Sequence, residues 1–157
     1  MRKKLVKGRF KKSNFKDVKV AIVKSLYHNE LNSSMASACI ETLISSGVLK
    51  KNIDVFEAPG SWEIGVITEK IASSNRYDGI VTFGVVVKGD TYHFEMIANE
   101  VGRALMNISV TYTVPVIMEI LAVFKLKDAK KRTSGKYNKG IEAANAVLKA
   151  VEVLRSI

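Results

Sequence analysis

The run Gly84-Val85-Val86-Val87-Lys88-Gly89-Asp90-Thr91-Tyr92-His93-Phe94-Glu95 concentrates more chemistry than any other stretch of the chain. An apolar segment opens into a glycine turn, and a helical pattern follows. Free amides and the Thr91 hydroxyl near that helix start form a reasonable cradle for an anion. His93 falls in the first turns of the helix, where an imidazole can take or give a proton near neutral pH. A lone histidine on a helix surface is the plainer reading. Here its company of Gly89, Asp90 and Thr91 favours proton transfer beside a bound anion.

Three other segments carry groups of the same kind. Ser25-Leu26-Tyr27-His28-Asn29 offers Tyr27, whose ring can stack on a planar ligand or pack over a sheet edge. Ala58-Pro59-Gly60-Ser61-Trp62-Glu63 offers a glycine turn and a helix start capped by Ser61. Trp62, the only tryptophan, is either core or a pocket wall. Glu63 either interacts with the helix dipole or accepts hydrogen bonds from a polyol or an amine. Asp128-Ala129-Lys130-Lys131-Arg132, followed by Asn138-Lys139-Gly140, is a solvated charged run or a phosphate clamp. The planar guanidinium of Arg132 suits two parallel hydrogen bonds to phosphate.

The elements that must position these groups alternate. Val18 to Val23, Ile53 to Phe56, Gly79 to Val87 and Val114 to Leu121 read as strands. Helical spacing recurs in Leu31, Met35, Ala38 and Leu43, with Asn29 as a cap and Gly47 as a stop. It returns in Ile64, Ile67 and Ile71, then in Met96, Ile97, Val101, Ala104 and Leu105. The last stripe is Ile141, Ala144, Leu148 and Val151. The nearly unbroken apolar run from Gly79 is typical of a central parallel strand buried on both faces. Strand–helix alternation predicts a three-layer α/β/α sandwich on a four-stranded parallel sheet, with right-handed crossovers. Such sheets bind ligands beyond the carboxyl ends of their strands, which is where the segments above fall.

Composition narrows the class. A chain of 157 residues, 47% hydrophobic, suits one domain, residues 18–157, after a basic arm over 1–17. That arm holds eight Lys or Arg and one Asp, and so carries most of the net charge of +10. It is expected to be solvated or to lie on a neighbouring subunit, where it could add a strand to a sheet edge. The body has no basic stripe interleaved with aromatics, which argues against a nucleic-acid partner. No stretch of about 18 apolar residues occurs, which argues against a membrane span. The single cysteine, Cys39, cannot form an internal disulfide; it reads as core and fits a reducing, cytoplasmic setting. One Cys with His28 and His93 far apart makes no metal site.

Together these motifs resemble the lumazine synthase family, from about Val18 to the C-terminus. Tyr77-Asp78-Gly79-Ile80-Val81 with Gly84 to Glu95 is similar to its most specific block, G-x-T-x-H followed by an aromatic and an acidic residue. Pro59-Gly60-Ser61-Trp62-Glu63-Ile64 resembles the family's PGAFEI turn, and Asn138-Lys139-Gly140-Ile141-Glu142-Ala143-Ala144 its NKGxEAA start of the last helix. The resemblance implies a flavodoxin-like fold. It also implies a cofactor-free transferase of riboflavin biosynthesis, which condenses 5-amino-6-(D-ribitylamino)uracil with 3,4-dihydroxy-2-butanone 4-phosphate to give 6,7-dimethyl-8-ribityllumazine, phosphate and water.

By the same resemblance His93 is the proton-transfer residue and Tyr27 stacks on the pyrimidine. Ser61, Trp62, Glu63, Val85, Val86, Val87 and Met118 contact the pyrimidine or its ribityl chain. Gly89, Asp90, Thr91, Arg132 and Lys139 hold the phosphate, with Arg132 (or its neighbour Lys131) reaching in from another subunit. The implied assembly is a homo-oligomer, a pentamer or a shell of about sixty subunits, with sites at subunit contacts and association with riboflavin synthase. Two departures bear on affinity more than on reaction type. Leu26-Tyr27-His28 stands where the family commonly has Arg-Phe-Asn. Met118-Glu119 stands where it has Phe-Gly after the fourth strand, and Glu119 there would weaken phosphate binding if it pointed inward. Two rival readings remain from sequence: a module that retains lumazine or flavin without turnover, and a nucleic-acid or structural role led by the arm.

Overall fold

A computed structural model describes residues 15–157. Four strands, β1 (Val20–Ser25), β2 (Ile53–Ala58), β3 (Gly79–Val87) and β4 (Val116–Val123), form one parallel sheet in the order β2-β1-β3-β4. Five helices connect and follow them: α1 (Asn29–Ser45), α2 (Ile64–Ala72), α3 (His93–Tyr112), α4 (Leu126–Arg132) and α5 (Lys139–Arg155). The result is the expected three-layer, flavodoxin-like sandwich.

Strand alternation sorts the side chains between the layers. Val81, Phe83 and Val85 of β3 join Val20 and Ile22 of β1 in a core beneath α1 and α5. Ile80 of β3 joins Ala21 and Val23 of β1 in a second core beneath α2 and α3. All of β3 but Val87 is buried, so both its faces must be apolar; the one polar side chain, Thr82, is satisfied by donating to Ile117 O at 3.1 Å. The edge strand β4 follows the same alternation, with Ile117, Leu121 and Val123 on the α1/α5 face and Val116 and Ile120 on the other.

The α1/α5 layer is the tighter one. Gly47 ends α1 as expected, with φ 111°. Its N–H donates to Ile44 O at 3.0 Å, and Val48 N–H to Leu43 O at 3.1 Å, the paired bonds of a glycine-terminated helix. Helix α5 begins at Asn138, whose side-chain oxygen accepts from Gly140 N–H at 2.9 Å. Its amide nitrogen donates to Thr133 O at 2.8 Å and Ser34 O at 3.3 Å. At Gly140 the two helices meet backbone to backbone, and a Cβ there would lie 1.9 Å from Met35 O.

Several sequence expectations shift, beginning with β1, which runs Val20–Ser25 rather than Val18 to Val23. Strand β4 starts and ends two residues later than predicted, because Pro115 has no N–H for the ladder and Ala122-Val123 pair with Val86-Val87. Ser61 does not cap α2; Glu63 occupies the N-cap position and no side chain bonds there. Asn29 is the first residue of α1 rather than its cap, which is His28 in a left-handed conformation. Phe15, assigned to the arm, is buried in the α1/α5 core, and Asp17 pairs with Arg155 at 3.1 Å. The rest of the expected arm, residues 1–14 with Phe10 and its proposed lodging on a neighbour, lies outside the described residues.

Gly140→Ala is expected to be among the most damaging single-methyl additions in the chain. The obstacle is main chain rather than a mobile side chain, so α1 and α5 must separate, at a cost of about 3 kcal/mol or more. Denaturant unfolding beside Gly65→Ala checks this, because a Cβ at Gly65 meets only Ala104 Cβ at 3.5 Å.

Candidate active site

The carboxyl end of the sheet is shaped by small residues and by main-chain bonds. Leu26 N–H donates to Ala58 O at 2.8 Å, tying the β1 loop to the end of β2. Lys24, almost fully buried, bridges Glu57 at 2.8 Å and donates to Asn29 Oδ1 at 2.8 Å. Asn32 Nδ2 donates to Ser25 O and Tyr27 O at 2.9 and 2.8 Å. His28 completes the turn with φ 55°, a backbone region that histidine enters more readily than most residues. These ties hold the Tyr27 ring out over the sheet, 67% exposed, in edge contact with His28 at 4.8 Å.

The second loop sits directly on β3. A Cβ at Gly84 would lie 2.7 Å from Ser61 Oγ, so only glycine lets the Ser61-Trp62-Glu63 turn settle there. Gly60 likewise leaves room for the Glu63 carboxylate, 3.0 Å from where its Cβ would be. Trp62 is 52% exposed, which decides its role: it is a wall, not core.

Between these loops and the start of α3 lies a cleft of ≈ 820 Å³, the size of a small-molecule site. The structure brings together in it Tyr27, Ser61, Trp62, Glu63, Val85, Val86, Val87, Gly89, Thr91 and His93. Asp90, between two of these, is exposed and does not line it. The cleft also takes in His28, Gly60, Phe94, Met96 and Ile97, which sequence reasoning had not assigned to the site. Met96 and Ile97 were legible in principle. They stand three and four residues beyond His93 and so share its helix face. Both histidines of the chain therefore line one cleft. Among the described residues no cluster of three His, Cys, Asp or Glu could hold a metal ion.

Three expected site residues lie elsewhere on the protomer. Met118 is inside β4, paired with Thr82; it points to the α3 side, where a Cβ at Gly102 would meet its sulfur at 3.4 Å. Arg132 closes α4, donates to Asp128 O at 2.9 Å, and lines a shallow groove against Ile120 to Phe124 of β4 and the turn after it. Lys131 beside it is exposed. Lys139 opens α5 and is ion-paired with Glu142. Arg132 and Lys139 belong to the α1/α5 layer, whereas the cleft opens on the α2/α3 side.

Glu119 belongs with that second group. It pairs with Phe83 in register and so shares the α1/α5 face, between Ile117 and Leu121. Burial pushes its carboxyl up to about 7, with Lys139 drawing it down and Glu142 pushing it further up. At the cleft rim, by contrast, the hydrogen bond from Lys88 at 2.7 Å holds the Glu95 carboxyl below the usual range.

A loop-built cleft at the carboxyl ends of parallel strands, combining aromatic rings, an imidazole and open main-chain amides, defines an α/β protein that handles small molecules. The chain matches the family model of 6,7-dimethyl-8-ribityllumazine synthase over residues 17–155, and it belongs to the lumazine synthase family. Members of that family are enzymes of riboflavin biosynthesis.

The position of Glu119 has a consequence for stability. Its folded value of about 7 exceeds the ordinary 4.5, so between those pH values the folded chain keeps a proton that the unfolded chain has released. The associated stability is complete below about pH 4.5, declines as pH rises, and is lost above about 7. Glu119→Gln should therefore be more stable than wild type at pH 8, by about 1–2 kcal/mol, with the gap closing towards pH 4. Denaturant titrations of both proteins across that range check it.

Proposed function

We propose that the protein condenses 5-amino-6-(D-ribitylamino)uracil with 3,4-dihydroxy-2-butanone 4-phosphate, forming 6,7-dimethyl-8-ribityllumazine with release of phosphate and water. The observation that carries this reading is the convergence of Tyr27, Trp62, Glu63, Val85 to Val87 and His93 on one cleft. Family membership narrows the chemistry.

In this reading Tyr27 stacks on the pyrimidine, and the main chain at Val85 and Val87 reads its polar edge. Ser61, Trp62 and Glu63 receive the ribityl chain, where the Glu63 carboxylate accepts hydroxyl hydrogen bonds. The amine attacks the ketone, and loss of water gives a Schiff base. Loss of phosphate and a proton shift leave an electrophilic carbon, and the second nitrogen closes the ring with loss of water. His93 moves the protons of these steps. Holding two substrates in one cleft supplies much of the remaining rate. Gly89 and Thr91, with the main chain at Asp90, form one side of the phosphate site.

Arg132 and Lys139 form the other side, from a neighbouring copy. Their place on the opposite layer of the protomer supports this, since a residue used in trans has to be displayed away from its own cleft. Exposed apolar side chains support a homo-oligomer: Val66 on α2, Met106 and Val110 on α3, and Phe124 after β4. So much apolar surface is costly on a free monomer. Met118, half exposed on edge strand β4, would complete the pyrimidine site of a neighbouring copy.

Incubating wild type with both substrates should generate the lumazine absorbance, and His93→Ala should lower kcat by about 10²-fold. Tight flavin binding with no product would overturn the enzyme reading in favour of a binding module. The shared site has its own test. His93→Ala and Arg132→Ala proteins, each nearly inactive, are unfolded, mixed and reassembled. If the two groups come from different copies, about a quarter of the sites regain both. No recovery would place them in one chain.

A further inference from the structure

We propose that His28 is a positioning residue of the cleft, whose imidazole stands against the Tyr27 ring and holds it in the orientation on which a flat heteroaromatic substrate stacks. The inference rests on the reading of Tyr27 as the stacking ring and adds the residue that fixes it.

The two rings are consecutive in the chain, and consecutive side chains on a strand or a helix point apart. Here they meet, because the chain turns left-handed between β1 and α1. His28 has φ 55° and ψ 43°, and its carbonyl accepts from Leu31 N–H at 3.0 Å and Asn32 N–H at 3.2 Å. The Ser25 hydroxyl accepts from Tyr27 N–H at 3.1 Å, and Asn32 Nδ2 donates to Tyr27 O at 2.8 Å. The main chain is thus tied on both sides of the pair. The ring centroids lie 4.8 Å apart with the planes at 74°, an edge-to-face contact of the kind aromatic pairs prefer.

The ties to the main chain leave the Tyr27 side chain as the free part of the loop. It is exposed, and among the described residues His28 is the only aromatic ring in contact with it. An exposed ring that must stack in one orientation loses rotamer freedom when its ligand arrives, and a contact that removes that freedom beforehand raises affinity. His28 is half-buried where Tyr27 is exposed, so it is the better anchored of the two. A nearly perpendicular contact covers at most one face of Tyr27, which leaves the other for a ligand. Both rings line the cleft together with Trp62. The two histidines of the cleft therefore divide the work: His93 moves protons, and His28 acts on a neighbouring ring without any chemistry.

The product, 6,7-dimethyl-8-ribityllumazine, is the probe, because its binding needs neither proton transfer nor a phosphate group. Quenching of Trp62, the only tryptophan, reports its titration into the intact protein. His28→Gly and His28→Asn both suit left-handed backbone and both lack an aromatic ring. Each should weaken lumazine binding about three- to tenfold, the worth of one aromatic pair. In a Tyr27→Ala background His28→Gly should cost nothing more, since nothing is left to position. An equal loss in both backgrounds would mean that His28 touches the ligand itself, and would overturn the proposal. So would wild-type affinity in both variants, or a loss in His28→Gly alone, which would credit the turn rather than the ring.

The kinetic signature is a split. His28→Asn should raise KM for the pyrimidine by the same three- to tenfold, and change kcat and the KM for the phosphorylated ketone much less. A residue needed only for folding would move both KM values together. If lumazine binds but no form makes product, the reaction assigned above fails, while the binding cycle still decides the role of His28. If wild type binds no lumazine, the stacking role of Tyr27 fails and the proposal falls with it.

Discussion

Everything on one side of the sheet depends on how closely α1 can approach α5. At Gly140 the approach is backbone to backbone, and no larger residue fits without driving the helices apart. That contact fixes the start of α5, and the start of α5 carries Asn138, Lys139 and Glu142. Asn138 then distributes hydrogen bonds to Ser34 of α1 and to Thr133 at the end of α4. A single packing constraint thus locates both cationic groups proposed for the phosphate site. The short motif at the start of the last helix is the chemical record of that constraint: a cap, a charge, and a residue with no side chain.

The opposite side obeys a similar rule with a different result. Gly84 in the central strand leaves a vacancy that Ser61 Oγ occupies, and the turn after β2 comes to rest on β3. Trp62 is thereby kept half out of the protein and becomes a wall. The cleft is therefore an effect of where side chains are missing as much as of where they are present. Its polar groups lie at strand and helix ends, where unpaired amides are available without breaking a ladder.

The sequence showed the layering well, because periodicity is a local property. The bounds of β3, from Gly79 to Val87, coincide with the apolar run. Strand β4 was less legible. Val114-Pro115 looks as apolar as Ala122-Val123, and only the pairing with Val86-Val87 shows which pair belongs to the ladder. The same pairing settles where Glu119 points: in register with Phe83, it is turned towards the α1/α5 core. The cleft-lining role of His28 was hidden for another reason: it follows from a left-handed turn that tertiary ties impose. Separation of Arg132 and Lys139 from His93 could not be read from spacing at all. It depends on which layer each helix joins, and sequence distance carries no information about that.

Cys39 lies at the centre of α1, fully buried and with its thiol pushed up to about 12. A thiolate is the form that reacts with electrophiles, so this one is silent under ordinary conditions. The chain has no other cysteine. A single cysteine introduced on the surface, for example at Lys149, would be the only group to take up a maleimide fluorophore, with no need to remove a native one first. Distances between copies in the assembled protein then become measurable by energy transfer on an otherwise unaltered chain.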